Sequence, residues 1–298
     1  MPDLSLPVYG ESHLAVYRDA EHCAPIVAVL VHGFGTAAWV WDPLVAHLLA
    51  ADVQVRTVRY DQRGHGNSPL GSDPISMGLL ADDLARVIEA AAPEGRVILV
   101  GHSMGGMTIM ALARVRPDWF GRFGRIAGVL LSSTCGRTVH RGNRPPSAVG
   151  RFLRGLHAVS ERITVQGRFA LVVCYTLLLG TTSRAVADAY WRPLTRHDET
   201  RGLGRMAHTP VHILVGARDR ITPVGAARDL AAHIPGASLH IARGGGHSLP
   251  EQYPDQVVGR LRDLLASMAP GRGAEQRRGK ARDSWTGEKS PGLEDQPT

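Results

Sequence analysis

RVILVGHSMGG, Arg96 to Gly106, is an aliphatic run that breaks into Gly101-His102-Ser103-Met104-Gly105 with Gly106 behind. It reads as a buried strand ending in a nucleophile. A serine hydroxyl attacks carbonyls once it is pushed clear of its own backbone, and a sharp strand-to-helix turn does that through strained dihedrals. Gly101 and Gly105 supply the missing Cβ atoms where strand and helix cross. The helix that follows, MGGMTIMALARV, aims its N-terminal amides at the space above Ser103, where an oxyanion would be stabilised. In a chain with 34 glycines the pattern G-x-S-x-G alone reads equally as an ordinary turn capped by Ser103. The strand before it and the helix after it raise the nucleophile reading.

Outward from this point the chain alternates strand and helix. Leu4–Tyr9 and His13–Arg18 form an antiparallel pair around Gly10. Ile26–Val31 is a continuous apolar run of the kind buried on both faces, and ends in His32-Gly33-Phe34-Gly35. A helix from Trp41 to Leu49 and a strand from Val53 to Tyr60 follow, then the turn Asp61–Ser68. Ile75–Ala92 places Met77, Leu80, Leu84, Val87, Ile88 and Ala91 at helical spacing. Beyond the nucleophile helix come strand Ile126–Leu131, strand Val211–Val215, helix Pro223–Ile234, strand Ser238–Ala242, turn Arg243–His247 and helix Tyr253–Met268. This order predicts an α/β fold, a mostly parallel eight-stranded sheet with helices on both faces.

The alternation is interrupted between the sixth and seventh strands. Residues 137–205 hold Pro145-Pro146 and the apolar stretches FLRGLHAV and RFALVVCYTLLL, and read as an inserted helical cap. The core is then 1–136 with 206–269. The net charge of +7 is concentrated in the insertion, which carries 12 Arg against 4 acidic residues. With two lysines in the chain, arginine stands in for lysine nearly everywhere. Residues 270–298 have hardly an aliphatic side chain and read as a disordered tail. The RRGKAR run in it resembles a nucleic-acid patch, but the acidic residues that follow nearly cancel it, so no nucleic-acid partner is expected.

Cys23, Cys135 and Cys174, without a CxxC pair or a secretory leader, predict a reduced cytoplasmic protein. The longest apolar run, Phe169–Leu179, falls short of the ~20 residues that span a bilayer, so no membrane span is expected. The 14 histidines show no metal-ligand spacing, and no metal or cofactor is predicted.

Acylation of a serine needs a base, an acid to orient the base, and donors for the oxyanion. Gly244-Gly245-Gly246-His247 follows the last strand, and its glycines let the loop fold back, which makes His247 the base. His233 at a helix end and His240 within a strand have structural explanations. His140, His157 and His197 in the insertion read as solvated or helix-end groups. Asp219, in GARDRITP after the seventh strand, reads either as the acid or as a turn or helix-cap residue.

On these motifs the chain resembles the α/β-hydrolase fold superfamily, as a serine esterase- or lipase-like member, from about Val8 to Ala269. The matching motifs are HGFG (His32–Gly35), DQRGHGNS (Asp61–Ser68), GHSMGG (Gly101–Gly106), GARD (Gly216–Asp219) and GGH (Gly245–His247), in the family's order. The resemblance implies a Ser103, Asp219, His247 triad with the backbone N–H groups of Phe34 and Met104 as the oxyanion hole. Some relatives take the acid from the end of the sixth strand. Here that strand ends in Leu131-Ser132-Ser133-Thr134-Cys135 without a carboxylate, which favours Asp219. Arg63, His65 and Ser68 match a structural turn and receive no chemistry. The implied reaction is cleavage of a carboxylic ester of a small hydrophobic substrate through an acyl-enzyme, with lactones and acyl thioesters as alternatives and a cofactor-free peroxidase as a further one. Gly33-Phe34-Gly35-Thr36-Ala37-Ala38 also fits G-x-G-x-x-A, so an NAD-binding oxidoreductase is a formal rival. It leaves Ser103, Asp219 and His247 unexplained and places Asp61 beyond the ~20 residues that its fingerprint expects.

Deletion of residues 271–298 is expected to leave the melting temperature and activity unchanged. A fall in either, measured by calorimetry and ester turnover, would mean that the tail packs on the body.

Overall fold

Strands that are apolar on both faces need helices on both sides, and the computed structural model, which describes residues 1–19, 26–93, 95–137 and 181–268, has that arrangement. The strands are β1 (Leu4–Val8), β2 (Ser12–Asp19), β3 (Val27–Val31), β4 (Arg56–Tyr60), β5 (Val97–His102), β6 (Ile126–Ser132), β7 (Val211–Gly216) and β8 (Ser238–Ala242). They form one sheet in the order β1-β2-β4-β3-β5-β6-β7-β8. β2 pairs antiparallel with β1 and β4, and every other pairing is parallel.

The helices are α1 (Asp42–Ala50), α2 (Met77–Ala91), α3 (Met104–Val115), α4 (Arg184–Arg196), α5 (Thr200–Leu203), α6 (Val224–His233), α7 (Leu249–Gln252) and α8 (Pro254–Met268). The period-2 alternation of the strands sorts them into two layers. Val27, Val29, Val31 and Leu99 face Leu80, Leu84 and Ile88 of α2, Met107 and Met110 of α3 and Leu230 of α6. Ala28, Leu30, Ile98 and Val100 face Leu44 and Leu48 of α1 and Val257, Leu261 and Leu264 of α8. Ser76 caps α2, its hydroxyl accepting the Leu79 N–H at 3.1 Å.

Most boundaries agree closely with the sequence expectation, and the start of β4 differs most. β4 begins at Arg56 rather than Val53, because α1 unwinds through Asp52 at φ 47° and pairing with β3 starts at Val27 opposite Arg56. α4 lies within the segment read as a helical cap, but beyond the two apolar stretches named in it. It has few aliphatic residues and an internal Pro193, and it is started by Ser183, whose hydroxyl accepts the Val186 N–H. The helices expected at FLRGLHAV and RFALVVCYTLLL, and the tail from 270 onward, lie outside the described residues. Among the described residues, no helix is long and apolar enough to cross a membrane.

β3 lies between β4 and β5, so the chain leaves the carboxyl end of β3 toward one side of the sheet and that of β5 toward the other. A crevice opens at such a switch point. His32–Gly35 and Ser103 both border it. The turn after β4 is fixed to α2 by Arg63, which donates from Nε and Nη2 to the Asp83 carboxylate at 2.6 and 2.9 Å, with both side chains buried.

Asp83→Ala is therefore expected to destabilise the fold by about 3–5 kcal/mol, because it strands a buried guanidinium. Urea denaturation checks this, and the double replacement Arg63→Met, Asp83→Leu should recover most of the loss. An Asp83→Ala protein as stable as the parent would contradict it.

Candidate active site

β5 runs straight into α3, and the residue between them takes the strain. Ser103 sits at φ 51°, ψ −115°, a backbone conformation that costs a non-glycine residue on the order of 1–3 kcal/mol. Its neighbours hold it there. Its N–H donates to the Ser132 carbonyl at 3.0 Å, and its carbonyl accepts the Gly106 N–H at 3.0 Å and the Thr134 hydroxyl at 2.7 Å. The adjacent glycines answer to space. A Cβ on Gly105 would overlap the Val31 carbonyl oxygen, and one on Gly101 would approach Ile109 Cδ1 to 2.6 Å.

The loops after β7 and β8 bring two more groups to this elbow. Asp219 Oδ1 accepts the N–H groups of Ile221 and Thr222 at 2.8 and 2.9 Å. Its Oδ2 accepts the Thr222 hydroxyl at 2.9 Å and meets His247 Nδ1 at 2.9 Å. One oxygen closes the turn and the other meets the imidazole, so the two readings of Asp219 left open by the sequence are compatible. Burial alone would raise the Asp219 carboxyl, but the donors on His247 and Thr222 hold it below its ordinary value. His247 Nε2 lies 3.0 Å from Ser103 Oγ. Because an ionised carboxylate only accepts, Nδ1 carries the imidazole proton and Nε2 is left to accept the serine hydroxyl. His102 donates from Nε2 to the His247 carbonyl at 2.9 Å, tying the histidine loop to β5.

The loop His32–Gly35 lies against the same serine; a Cβ on Gly33 would stand 3.2 Å from Ser103 Cβ. Two buried imidazoles fix it. His32 donates from Nδ1 to the Gly33 carbonyl at 2.7 Å and accepts the Gln62 N–H on Nε2 at 2.8 Å. His65 donates from Nδ1 to the Arg63 carbonyl at 2.9 Å and accepts the Gly35 N–H on Nε2 at 3.1 Å. Each ring must be neutral to accept, and burial pushes His32 down to about 3 and His65 to about 4. The side chain of Gln62 donates to the His32 carbonyl at 2.7 Å and accepts from Thr108 of α3 at 3.1 Å. Among the described residues, the N–H groups of Phe34 and Met104 have no protein acceptor.

Ser103, Asp219 and His247 thus come together, with Phe34 and Met104 on the two segments that border the serine. His233 bonds its own helix at the Asp229 carbonyl, and His240 pairs with His212 at 3.0 Å. His197 corrects part of the sequence expectation. It does end α4, but it is buried and lies 3.0 Å from the Cys135 carbonyl through Nε2. His140 and His157 lie outside the described residues. Asp61 accepts from the Ala38 and Asn67 N–H groups and the Tyr17 hydroxyl at 2.7, 2.9 and 2.8 Å. The carboxylate that an NAD ribose would need is already engaged by these loops. Sequence reasoning gave no role to Thr222, Gln62, Thr134 or Tyr190. The side chains of Gln62, Thr134 and Tyr190 bond partners distant in the chain, while Thr222 bonds Asp219 within its own loop. Among the described residues, no cluster of three or more His, Cys, Asp or Glu could hold a metal.

A doubly covered, mostly parallel sheet with a serine elbow at its switch point defines a class, and comparison with known families agrees: the chain belongs to the alpha/beta hydrolase family, whose model matches residues 28–260. One relative, a protein of Enterobacter cloacae subsp. cloacae that bears the name carbamate hydrolase RutD, is 27% identical over 267 residues, covering 83% of this chain and 95% of its own. Among solved structures, an esterase from Thermogutta terrifontis is 24% identical with a TM-score of 0.63, over 88% of this chain and 96% of its own. The enol-lactonase from Burkholderia xenovorans LB400 is also 24% identical, with a TM-score of 0.64, over 86% of this chain and 97% of its own.

The neutral imidazoles make the site acid-sensitive. In the unfolded chain a histidine titrates at its ordinary 6.5, while folded His32 and His65 take up protons at about 3 and about 4. Between these values the unfolded state binds more protons, so stability falls as pH drops from 6.5 toward 4. At pH 5 each ring accounts for about 2 kcal/mol of that loss. The melting temperature at pH 5 should then lie below that at pH 7.5 by on the order of 10 °C. His32→Gln should lessen the dependence without removing it, because buried His65 and His102 keep their lowered values of about 4 and about 3, and a parent profile that is already flat would contradict it.

Proposed function

We propose that the protein is a serine hydrolase that cleaves a carboxylic ester of a hydrophobic small molecule through an acyl-enzyme. The observation that carries this reading is the hydrogen-bonded chain from Ser103 Oγ through His247 to Asp219, 3.0 and 2.9 Å long in its two links, at a strained elbow. As Ser103 Oγ attacks the carbonyl carbon, its proton passes to His247 Nε2. Asp219 stabilises the imidazolium that forms. The carbonyl oxygen becomes an oxyanion that accepts from the Phe34 and Met104 N–H groups. Collapse expels the alcohol, which takes the proton back from Nε2. Water then attacks the acyl-enzyme by the same route, leaving the acid and free Ser103. No step calls for a metal or cofactor.

Support for a hydrophobic acyl group comes from the apolar stretches FLRGLHAV and RFALVVCYTLLL within residues 137–205, a segment read as a cap over the site. The sparse cysteines, without a CxxC pair, support a cytoplasmic setting. Lactones and thioesters react by the same steps. A carbamate is favoured as a second reading by the relative named as a carbamate hydrolase.

Ser103→Ala should lower kcat by several orders of magnitude and abolish labelling by a fluorophosphonate, with Tm unchanged. Asp219→Asn combined with His247→Ala should be hardly worse than His247→Ala alone, since the two act as a unit. Turnover surviving in Ser103→Ala would remove the reading. Rates on aryl esters of rising acyl length, beside matched carbamates and lactones, would decide the substrate class.

A further inference from the structure

Tyr190 lies in α4, far along the chain from every residue of the candidate site, yet it reaches the segment that carries the Phe34 N–H. It is fully buried, and its hydroxyl donates to the Arg63 carbonyl at 2.7 Å. That carbonyl also accepts the Nδ1 proton of His65, whose Nε2 in turn accepts the Gly35 N–H. The ring packs with both neighbours, centroid distances being 5.1 Å to His65 and 5.6 Å to Phe34, and His65 closes the triangle with Phe34 at 5.5 Å. One turn earlier in α4, Val186 packs on Gly64, where a Cβ would come to 2.8 Å from Val186 Cγ2. The Phe34 ring is thus buried and held by two neighbouring rings, next in the chain to Gly33, which lies against Ser103.

We propose that Tyr190 is a positioning residue that fixes the Phe34 N–H relative to Ser103, so that α4 sets how well the oxyanion is bound. The proposal rests on the serine-hydrolase reading above. Two contacts carry it. The hydroxyl holds the Arg63 carbonyl, and through it the tautomer and orientation of His65. The ring holds Phe34 directly. A donor displaced by a fraction of an ångström binds the ground-state carbonyl almost as before, but stabilises the developing oxyanion less well. The effect therefore belongs in kcat rather than KM.

The test uses the full chain with Tyr190→Phe, which removes only the hydroxyl, and Tyr190→Leu, which removes both contacts. Aryl-ester turnover is measured beside the inhibition constant of a trifluoromethyl ketone, whose adduct with Ser103 places an oxyanion at the Phe34 N–H. For Tyr190→Leu, kcat should fall ~30–100-fold with KM within about threefold, and inhibitor affinity should fall in step with kcat/KM. Tyr190→Phe should lose roughly 3–10-fold, the retained ring rescuing the remainder. A loss of Tm alone, with kcat and inhibitor affinity at parent values, would overturn the proposal. Should Tyr190→Leu fail to fold, parent-like values in Tyr190→Phe would overturn it equally. Ser103→Ala, run alongside, separates the two claims. If it still turns over ester, the hydrolase reading fails; if it is inactive while the Tyr190 variants behave as the parent, only the role of Tyr190 fails.

Discussion

The contact between the first turn of α3 and the end of β3, where Gly105 passes against the Val31 carbonyl with no room for a methyl group, governs the geometry around it. It brings the amide end of α3 over the crevice between β3 and β5. The chain then has one residue in which to turn from strand to helix, and Ser103 absorbs the turn at φ 51°. The strain persists because three hydrogen bonds, to Ser132, Gly106 and Thr134, over-determine the serine backbone. The same approach lets Thr108 of α3 reach Gln62 in the loop after β4, whose side chain in turn bonds the His32 carbonyl after β3.

The loops after β3 and β4 bury polar side chains that have hydrogen-bond partners on one another. His32, Gln62, His65 and Asp61 each accept or donate with defined partners on the loops after β3 and β4. In a low-dielectric interior such a network is rigid when satisfied and costly when broken. The imidazoles of His32 and His65 serve as neutral, fixed-tautomer struts. His247, by contrast, retains some exposure at its side chain, and its Nε2 faces a serine hydroxyl rather than a backbone amide. The histidines thus differ in what their second nitrogen meets: a backbone amide for His32 and His65, a serine hydroxyl for His247.

Most of the sheet was legible because its strands are continuous aliphatic runs, as at Val97–Val100, and because glycine and polar clusters punctuate them. Ser103, Asp219 and His247 were legible because each follows a strand in a short loop of recognisable composition. The start of β4 was not, since Val53 and Val55 are apolar for packing against α1 and its neighbours, not for pairing. The position of α4 within residues 137–205 escaped because its burial is concentrated at Val186, Ala187, Tyr190 and Leu194 within an otherwise polar stretch containing Pro193. Gln62 and Tyr190 acquire their roles only from partners brought near by folding, whereas the partner of Thr222, Asp219, lies in the same loop. His197 ends its helix as read, but folding also brings it, buried, to the Cys135 carbonyl, 62 residues away in the chain.

The order of the strands has a consequence for the newborn protein. From β5 onward, chain order and spatial order coincide, each new strand adding to the free edge left by the last. Ser103 leaves the ribosome 144 residues before His247, a lag of roughly 7–30 s at ordinary elongation rates. During that interval a nascent sheet can present a serine elbow with neither its imidazole nor its carboxylate. Because those two groups arrive on the loops of the last two strands, a chain cut short by stalled translation before β7 carries the serine without either of the partners that meet it in the folded protein.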